Sequence, residues 1–154
     1  SADGVEIGQW TGIAVLDFLL ACKQAEAKAK KIYFNIYSEP VCLKLTDQEL
    51  AALLGNALDN ALEACEQMEA GSGWICINIR KIQEMVFIKI VNSCKSAPRI
   101  EEKRIVTSKK DQEEHGWGLA SMKAVVDRHN GSMNFQFSHN QFTVVISFFD
   151  VSGN

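Results

Sequence analysis

No run in the sequence approaches ~18 consecutive apolar residues, so no membrane span is expected within it. Residues 1–9 are polar and contain glycine, without the basic start or the apolar stretch of a secretory signal. Positive charge is also short: Lys and Arg total 16 against 19 Asp and Glu, a formal net charge of −3. A chain that wraps nucleic acid through its phosphates needs the opposite balance. The five cysteines, Cys22, Cys42, Cys65, Cys76 and Cys94, include no pair spaced as a zinc or redox motif. They read as reduced core or surface thiols. Internal repeats and low-complexity tracts are absent too. What is present is ordinary globular composition, 47% hydrophobic and 23% charged over 154 residues. That suits one cytoplasmic domain with a real core and excludes a disordered or collagen-like chain.

Residues 11–30 carry a helical period, with Ile13, Leu16 and Leu20 recurring and an Ala/Lys/Glu-rich second half. From Lys31 the period changes to two: Ile32, Phe34 and Ile36 alternate with Tyr33, Asn35 and Tyr37. This predicts a half-buried strand that stops at Pro40. Residues 41–45 suggest a short second strand. Thr46-Asp47-Gln48-Glu49 fits a capping box, in which the Thr and Glu side chains satisfy free first-turn amides. Behind it Leu50, Leu53, Leu54, Ala57, Leu58, Ala61, Leu62 and Cys65 form one apolar face over four turns. Gly71-Ser72-Gly73 breaks the chain. Ile75, Ile77, Ile79 and Val86, Ile88, Ile90 then read as a hairpin across residues 81–84. Residues 92–115 hold no sustained period, and a structureless stretch beyond ~15 residues in a compact domain is usually a functional lid or binding loop. Gly116-Trp117-Gly118 leads into a helix over 119–129, stopped by Asn130-Gly131. A second hairpin, 132–138 and 141–149, turns at His139-Asn140. Three helices and about six mostly antiparallel strands predict an α+β fold, a two-layer sandwich with the helices on one face of a mixed sheet.

On a helical wheel of ~100° per residue, Asn56 and Asn60 fall together on one flank of the apolar face, with Glu63 beside them and Asp59 near the middle of the solvent side. Two amides at i, i+4 can jointly offer carbonyl oxygens to a hard cation. They can equally be rim residues satisfied locally. The run Gly55-Asn56-Ala57-Leu58-Asp59-Asn60-Ala61-Leu62-Glu63-Ala64 resembles the asparagine box of the histidine-kinase ATPase domains, in the superfamily shared with gyrase, heat-shock-protein ninety and MutL. His115-Gly116-Trp117-Gly118-Leu119, followed by a helix, resembles that superfamily's last glycine box. The order of elements over residues 11–149 also resembles it. The variant is similar to the catalytic domains of Gram-positive peptide-sensing and citrate-type sensor kinases. The resemblance implies a Bergerat-type sandwich over 11–150, with 1–10 as the remnant of a linker.

It further implies the roles of individual residues. Asn60 would give a side-chain oxygen to the Mg²⁺ that bridges the phosphates of ATP, a hard cation that prefers oxygen and keeps several waters. Asn56 stands where hydrolases of the superfamily carry a water-activating Glu. An amide has no titrating base near neutral pH, which favours phosphoryl transfer over hydrolysis. Gly116 and Gly118 would let backbone amides approach phosphate, with the helix from Leu119 aiming its N-terminal donors at the anion. Lys109 and Lys110 would neutralise the γ-phosphate, or else belong to an exposed charged loop. His115 would contact phosphate or be solvated. Lys123 is a phosphate neighbour or a surface helix residue. Trp117 would pack against the lid or the sheet.

The adenine position departs from the superfamily's usual Asp-x-Gly-x-Gly. Here the strand runs into Asn92-Ser93-Cys94-Lys95-Ser96 without glycine. Asn92 can still accept from the adenine amino group through its carbonyl oxygen, as a weaker acceptor than a carboxylate by roughly 1 kcal/mol. Weak ATP binding is therefore expected. Glu114 also replaces the first glycine of the last box.

A histidine kinase needs an acceptor histidine on an exposed helix. His115, His129 and His139 lie in the lid, at a helix end and in a hairpin turn. The expectation is a catalytic unit of a longer membrane sensor, acting on an upstream histidine-bearing dimerisation domain and, through it, on a response regulator. Two alternatives stay open on sequence: a free-standing serine kinase of the anti-sigma-factor type, and a degenerate, non-catalytic nucleotide-binding module.

Overall fold

A computed structural model describes residues 6–101, 104–106 and 118–151. The first helix, α1 (Ala14–Ala29), starts three residues later than its apolar period. Thr11 and Gly12 are held outside it by Asp17 of its own first turn. That buried carboxylate accepts from the Thr11 amide at 2.9 Å, the Thr11 hydroxyl at 2.7 Å and the Gly12 amide at 3.2 Å. Gly12 takes a φ of +81°, which suits glycine.

The predicted strand is β1 (Tyr33–Ser38). Residues 41–45 are a correction: they form no strand. Their side chains alternate as a strand's would, with Val41 buried and Leu43 and Leu45 half-buried. Their backbone groups, however, go to separate segments. The Val41 amide donates to the Thr11 carbonyl, the Cys42 amide to Asp150 Oδ2, and the Cys42 carbonyl accepts from Val151. Without one continuous partner there is no ladder.

The long helix α2 (Asp47–Glu66) carries both halves of its capping box. Glu49 N–H donates to Thr46 Oγ1 at 3.1 Å, and Thr46 N–H donates to Glu49 Oε1 at 3.0 Å. All eight residues of its predicted apolar face are buried. Each fully buried leucine among them contributes roughly 1.5–3 kcal/mol, so this helix anchors the core.

Strands β2 (Trp74–Ile82) and β3 (Met85–Ser93) form the first hairpin. The region expected to lack regular structure holds two short paired strands, β4 (Arg99–Glu101) and β5 (Arg104–Val106). Helix α3 (Gly118–Arg128) follows, then β6 (Ser132–Ser138) and β7 (Gln141–Phe149). Beyond α3, Asn130 takes φ +54° while the Gly131 amide reaches back to the Val126 carbonyl at 2.9 Å, a left-handed helix stop. His139 and Asn140, at φ +54° and +58°, make the tight two-residue turn of the last hairpin.

The main sheet runs β1-β2-β3-β7-β6. β1 and β2 are parallel because α2 crosses between them, and every other pair is antiparallel. Alternate residues of the three central strands (Ile75, Ile77, Ile79; Val86, Ile88, Ile90; Phe142, Val144, Ile146, Phe148) are buried in one core with the helices. The result is the expected two-layer α+β sandwich, a mixed sheet with its helices on one face. No helix among the described residues is long and apolar enough to cross a membrane.

Candidate functional site

The long apolar face of α2 fixes which of its polar residues can reach a ligand. With Leu53, Leu54, Ala57 and Leu58 buried, Asn56 and Asn60 are left half-buried on the rim. Among the described residues no side-chain hydrogen bond engages either amide. Two half-buried amides without a partner among the described residues suit an external one. Asp59 is not on an open solvent side as its wheel position suggested. α1 packs along α2, and Lys23 of α1 pairs with the Asp59 carboxylate at 2.5 Å.

The start of α3 lies against the same rim. A Cβ added to Gly118 would stand 3.8 Å from Asn56 Oδ1, so the buried first residue of α3 touches the first asparagine of α2. Leu119 is buried behind it and fixes the helix start on the core. Two motifs separated by some sixty positions in sequence thus meet in space. Gly116, His115, Lys109 and Lys110 lie outside the described residues. Lys123, on α3, is exposed and pairs with Asp127 one turn along at 3.2 Å.

Asn92 stands near the end of β3, between Ile75 of β2 and Phe142 of β7. It continues the Val86, Ile88, Ile90 alternation, so it lies on the helix side of the sheet and is only 3% exposed. Its Nδ2 donates to the Ser93 carbonyl at 3.0 Å. A carbonyl cannot donate, so the amide orientation is set by this bond, and Oδ1 is left as the acceptor. The Oδ1 atom is thereby the one side-chain atom of Asn92 that can accept. Sequence reasoning missed the anchor, for which a Ser-x pattern carries no signal.

The neighbouring cysteines are chemically quiet. Cys65 Sγ lies 3.5 Å from the Trp74 carbonyl and 3.7 Å from the Ser93 carbonyl. Burial pushes its thiol up, and does the same for Cys94. Neither is a thiolate nucleophile near neutral pH.

At the opposite end of α2, Glu49 ties the N-cap of its own helix to the end of α3. Besides capping Thr46 it meets His129 Nε2 at 2.9 Å and Arg128 at 2.5 Å, both at the end of α3. The Thr46 amide first, then His129 and Arg128, hold its carboxyl down to about 2. This cluster clamps the two helices that carry Asn56 and Gly118. Among the described residues, no group of three or more His, Cys, Asp or Glu is placed to hold a metal. Mg²⁺ often needs none, because it is commonly bound by one or two protein oxygens together with phosphates and water. The Asn60 amide oxygen fits that requirement.

A family model described as GHKL domain matches residues 45–148. No curated protein matches the chain in sequence. Among solved structures it is similar to the mycobacterial sensor histidine kinase MprB. The identity is 18%, over 89% of this chain and 94% of that one, with a TM-score of 0.71. A nucleotide-free catalytic domain of the histidine kinase ThkA gives 18%, 94%, 97% and 0.66 on the same measures. The Acinetobacter baumannii histidine kinase AdeS gives 17%, 93%, 66% and 0.64. At such identities these likenesses establish the fold.

Proposed function

The chain belongs to the GHKL domain family, and on that footing we propose that it binds ATP with Mg²⁺ and passes the γ-phosphoryl group to a histidine. That histidine lies on an upstream dimerisation domain, in a two-component signalling system with a response regulator as final acceptor. The observation that carries the reading is the contact between Asn56 on α2 and Gly118 at the start of α3. It brings amide oxygens and helix N-terminal N–H groups to one rim, as a nucleotide triphosphate with its cation requires.

Asn60 holds the cation through its amide oxygen, and bound Mg²⁺ neutralises charge on the phosphates. Asn92 accepts from the adenine amino group through Oδ1. Gly116, Gly118 and Leu119 present backbone amides to phosphate, while His115, Lys109 and Lys110 supply positive charge or hydrogen bonds from the lid. Asn56 lines the site without deprotonating water, so the γ-phosphoryl group is kept for the intended acceptor. In the transfer the bond from γ-phosphorus to its bridging oxygen breaks, a bond to an imidazole nitrogen forms, and ADP leaves.

The described histidines are poor acceptors. His129 is held by Glu49 at a helix end, and His139 sits in a tight turn. This supports the reading in which the acceptor domain is a separate unit; we further propose a parent protein that is a membrane sensor of the peptide-sensing or citrate type. Incubation with γ-labelled ATP, Mg²⁺ and supplied histidine-bearing dimerisation domains tests the reaction. Acid-labile, base-stable label on such a domain supports it. Phosphoserine on a protein acceptor, or phosphohistidine on this chain alone, overturns it.

A further inference from the structure

β1 is an edge strand, and its outer edge has no partner among the described residues. The Tyr33 amide donates to the Gly73 carbonyl and the Glu39 amide to the Ile79 carbonyl, both at 3.0 Å. Odd-numbered residues therefore turn their backbone groups towards β2, and Phe34, Ile36 and Ser38 turn theirs outward. Such an edge is a template for another strand, and proteins usually blunt it with charge, proline or a covering segment. Here its centre is uncharged, and Pro40 lies beyond its end. A cleft of about 650 Å³ runs between α1 and β1, bordered by Gln24, Lys28, Phe34 and Asn35, with Glu6 on its rim. Tyr33 and Tyr37 are 65% and 58% exposed on the face away from the helices.

The geometry points to a second copy of this chain as the partner, with β1 pairing antiparallel to β1 about a two-fold axis through Asn35. Two five-stranded sheets then become one continuous sheet. In this register Phe34 faces the other copy's Ile36, and both carry outward N–H and C=O groups, so each such pair closes two hydrogen bonds. Tyr33 faces the other copy's Tyr37, an aromatic cross-strand pair in the closer, non-hydrogen-bonded spacing. Lys31, exposed in the left-handed turn just before β1, and Glu39, exposed just past its end, lie at opposite ends of the strand. The antiparallel pairing therefore brings the lysine of one copy near the glutamate of the other. One oxygen of Glu39 accepts from the Lys81 amide at 2.7 Å, leaving the second for lysine. The strand is thus self-complementary in hydrogen bonding, aromatic contact and charge at once. Sliding the pairing so that Phe34 or Ile36 lies on the axis sets Tyr33 against Asn35 or Glu39 and separates the Lys31–Glu39 pairs. The pairing needs no nucleotide, and none of its residues belongs to the candidate site.

Cysteine cross-linking tests both partner and register, in a Cys42→Ser, Cys76→Ser background that removes the exposed native thiol and the one that faces position 35 from β2 within the same chain. Asn35→Cys places two thiols across the axis, within the Cα separation a disulfide requires. Tyr33→Cys does not face itself. Under mild oxidation the first should give a disulfide dimer and the second should remain monomeric. Ile36→Pro removes an outward amide while leaving the β2 ladder intact, and should abolish the Asn35→Cys dimer. Ile36 also packs against the core, so Ile36→Ala, which loses the same packing but keeps the amide, should melt at a similarly lowered temperature and still give the dimer. Sedimentation velocity of the unmodified chain should show a reversible dimer at high concentration. Equal cross-linking at positions 35 and 33, cross-linking that survives Ile36→Pro, or a monomer at every concentration would each overturn the proposal.

Discussion

At residue 92 an asparagine, where the superfamily usually has aspartate, makes a donor bond that aspartate cannot make. Its Nδ2 is committed to the Ser93 carbonyl in a site 3% exposed. Asn92→Asp would set a carboxylate oxygen against that carbonyl, with no proton between them at neutral pH. Restoring the usual residue is therefore expected to lower stability by about 1–3 kcal/mol, the cost of a buried unsatisfied group, and to leave ATP affinity no better. Thermal melts with and without nucleotide check both halves. Asn92→Ala removes the acceptor and should weaken ATP binding about fivefold, for a loss near ~1 kcal/mol, as read by calorimetry. That Asn92 continues the buried alternation of β3 at the end of the strand was legible from its spacing. The anchoring bond was not, because it depends on where the next carbonyl points. Asn56 and Asn60 were legible as a pair because i, i+4 spacing fixes their common flank. The wheel failed for Asp59 because it knows nothing of Lys23 on the neighbouring helix.

Helix α2 was the most legible element, since its capping box and four-turn apolar face are both local patterns. Thr46→Ala should cost about 1 kcal/mol of stability, the usual value of a lost N-cap, measured by urea titration. Glu49 has a pH signature of its own. Its carboxyl falls from an ordinary 4.5 to about 2 in the folded chain, so protonation opposes folding. Its contribution is complete above pH 4.5 and is lost as pH falls to about 2. The stability gap between the native chain and Glu49→Gln should be constant near neutrality and close across that window. A gap that persists at pH 2 would contradict the clamp between α2 and α3. The turn at His139-Asn140 was legible because few side chains tolerate two consecutive positive φ values. Gly131 was read as a helix stop, and the structure adds a packing reason. A Cβ there would sit 2.5 Å from the Ser147 carbonyl and 2.8 Å from the Phe148 ring. Gly131→Ala should cost about 1–3 kcal/mol through overpacking, seen as a lower thermal midpoint. Residues 41–45 misled because alternating side chains reveal burial, whereas a strand also needs a neighbour running alongside. β4 and β5 were missed because three-residue strands are too short to show a period.

At the scale of the molecule, the described residues form a parallel-edged, otherwise antiparallel sheet under three helices, and the proposed site lies where two of those helices meet. The class was legible because the alternation of periods along the chain dictates two layers. Strand order was not, because it depends on which distant strands pair, as β3 does with β7. The mild acidity of the chain, −3 overall, is compatible with a polyanionic ligand if its charge is met by Mg²⁺, lid lysines and backbone amides. With His129 and His139 both in unsuitable settings, the chain incubated with γ-labelled ATP should carry no phosphohistidine of its own. All of this rests on Asn60 holding a magnesium–nucleotide complex on the rim of α2. Calorimetric titration of the native chain and of Asn60→Ala with ATP, with and without Mg²⁺, tests that most directly. Weak, saturable, Mg²⁺-dependent heat is expected for the native chain, and its loss in the variant at an unchanged melting temperature. No heat at millimolar ATP, or equal Mg²⁺-dependent heat in both proteins, would contradict it.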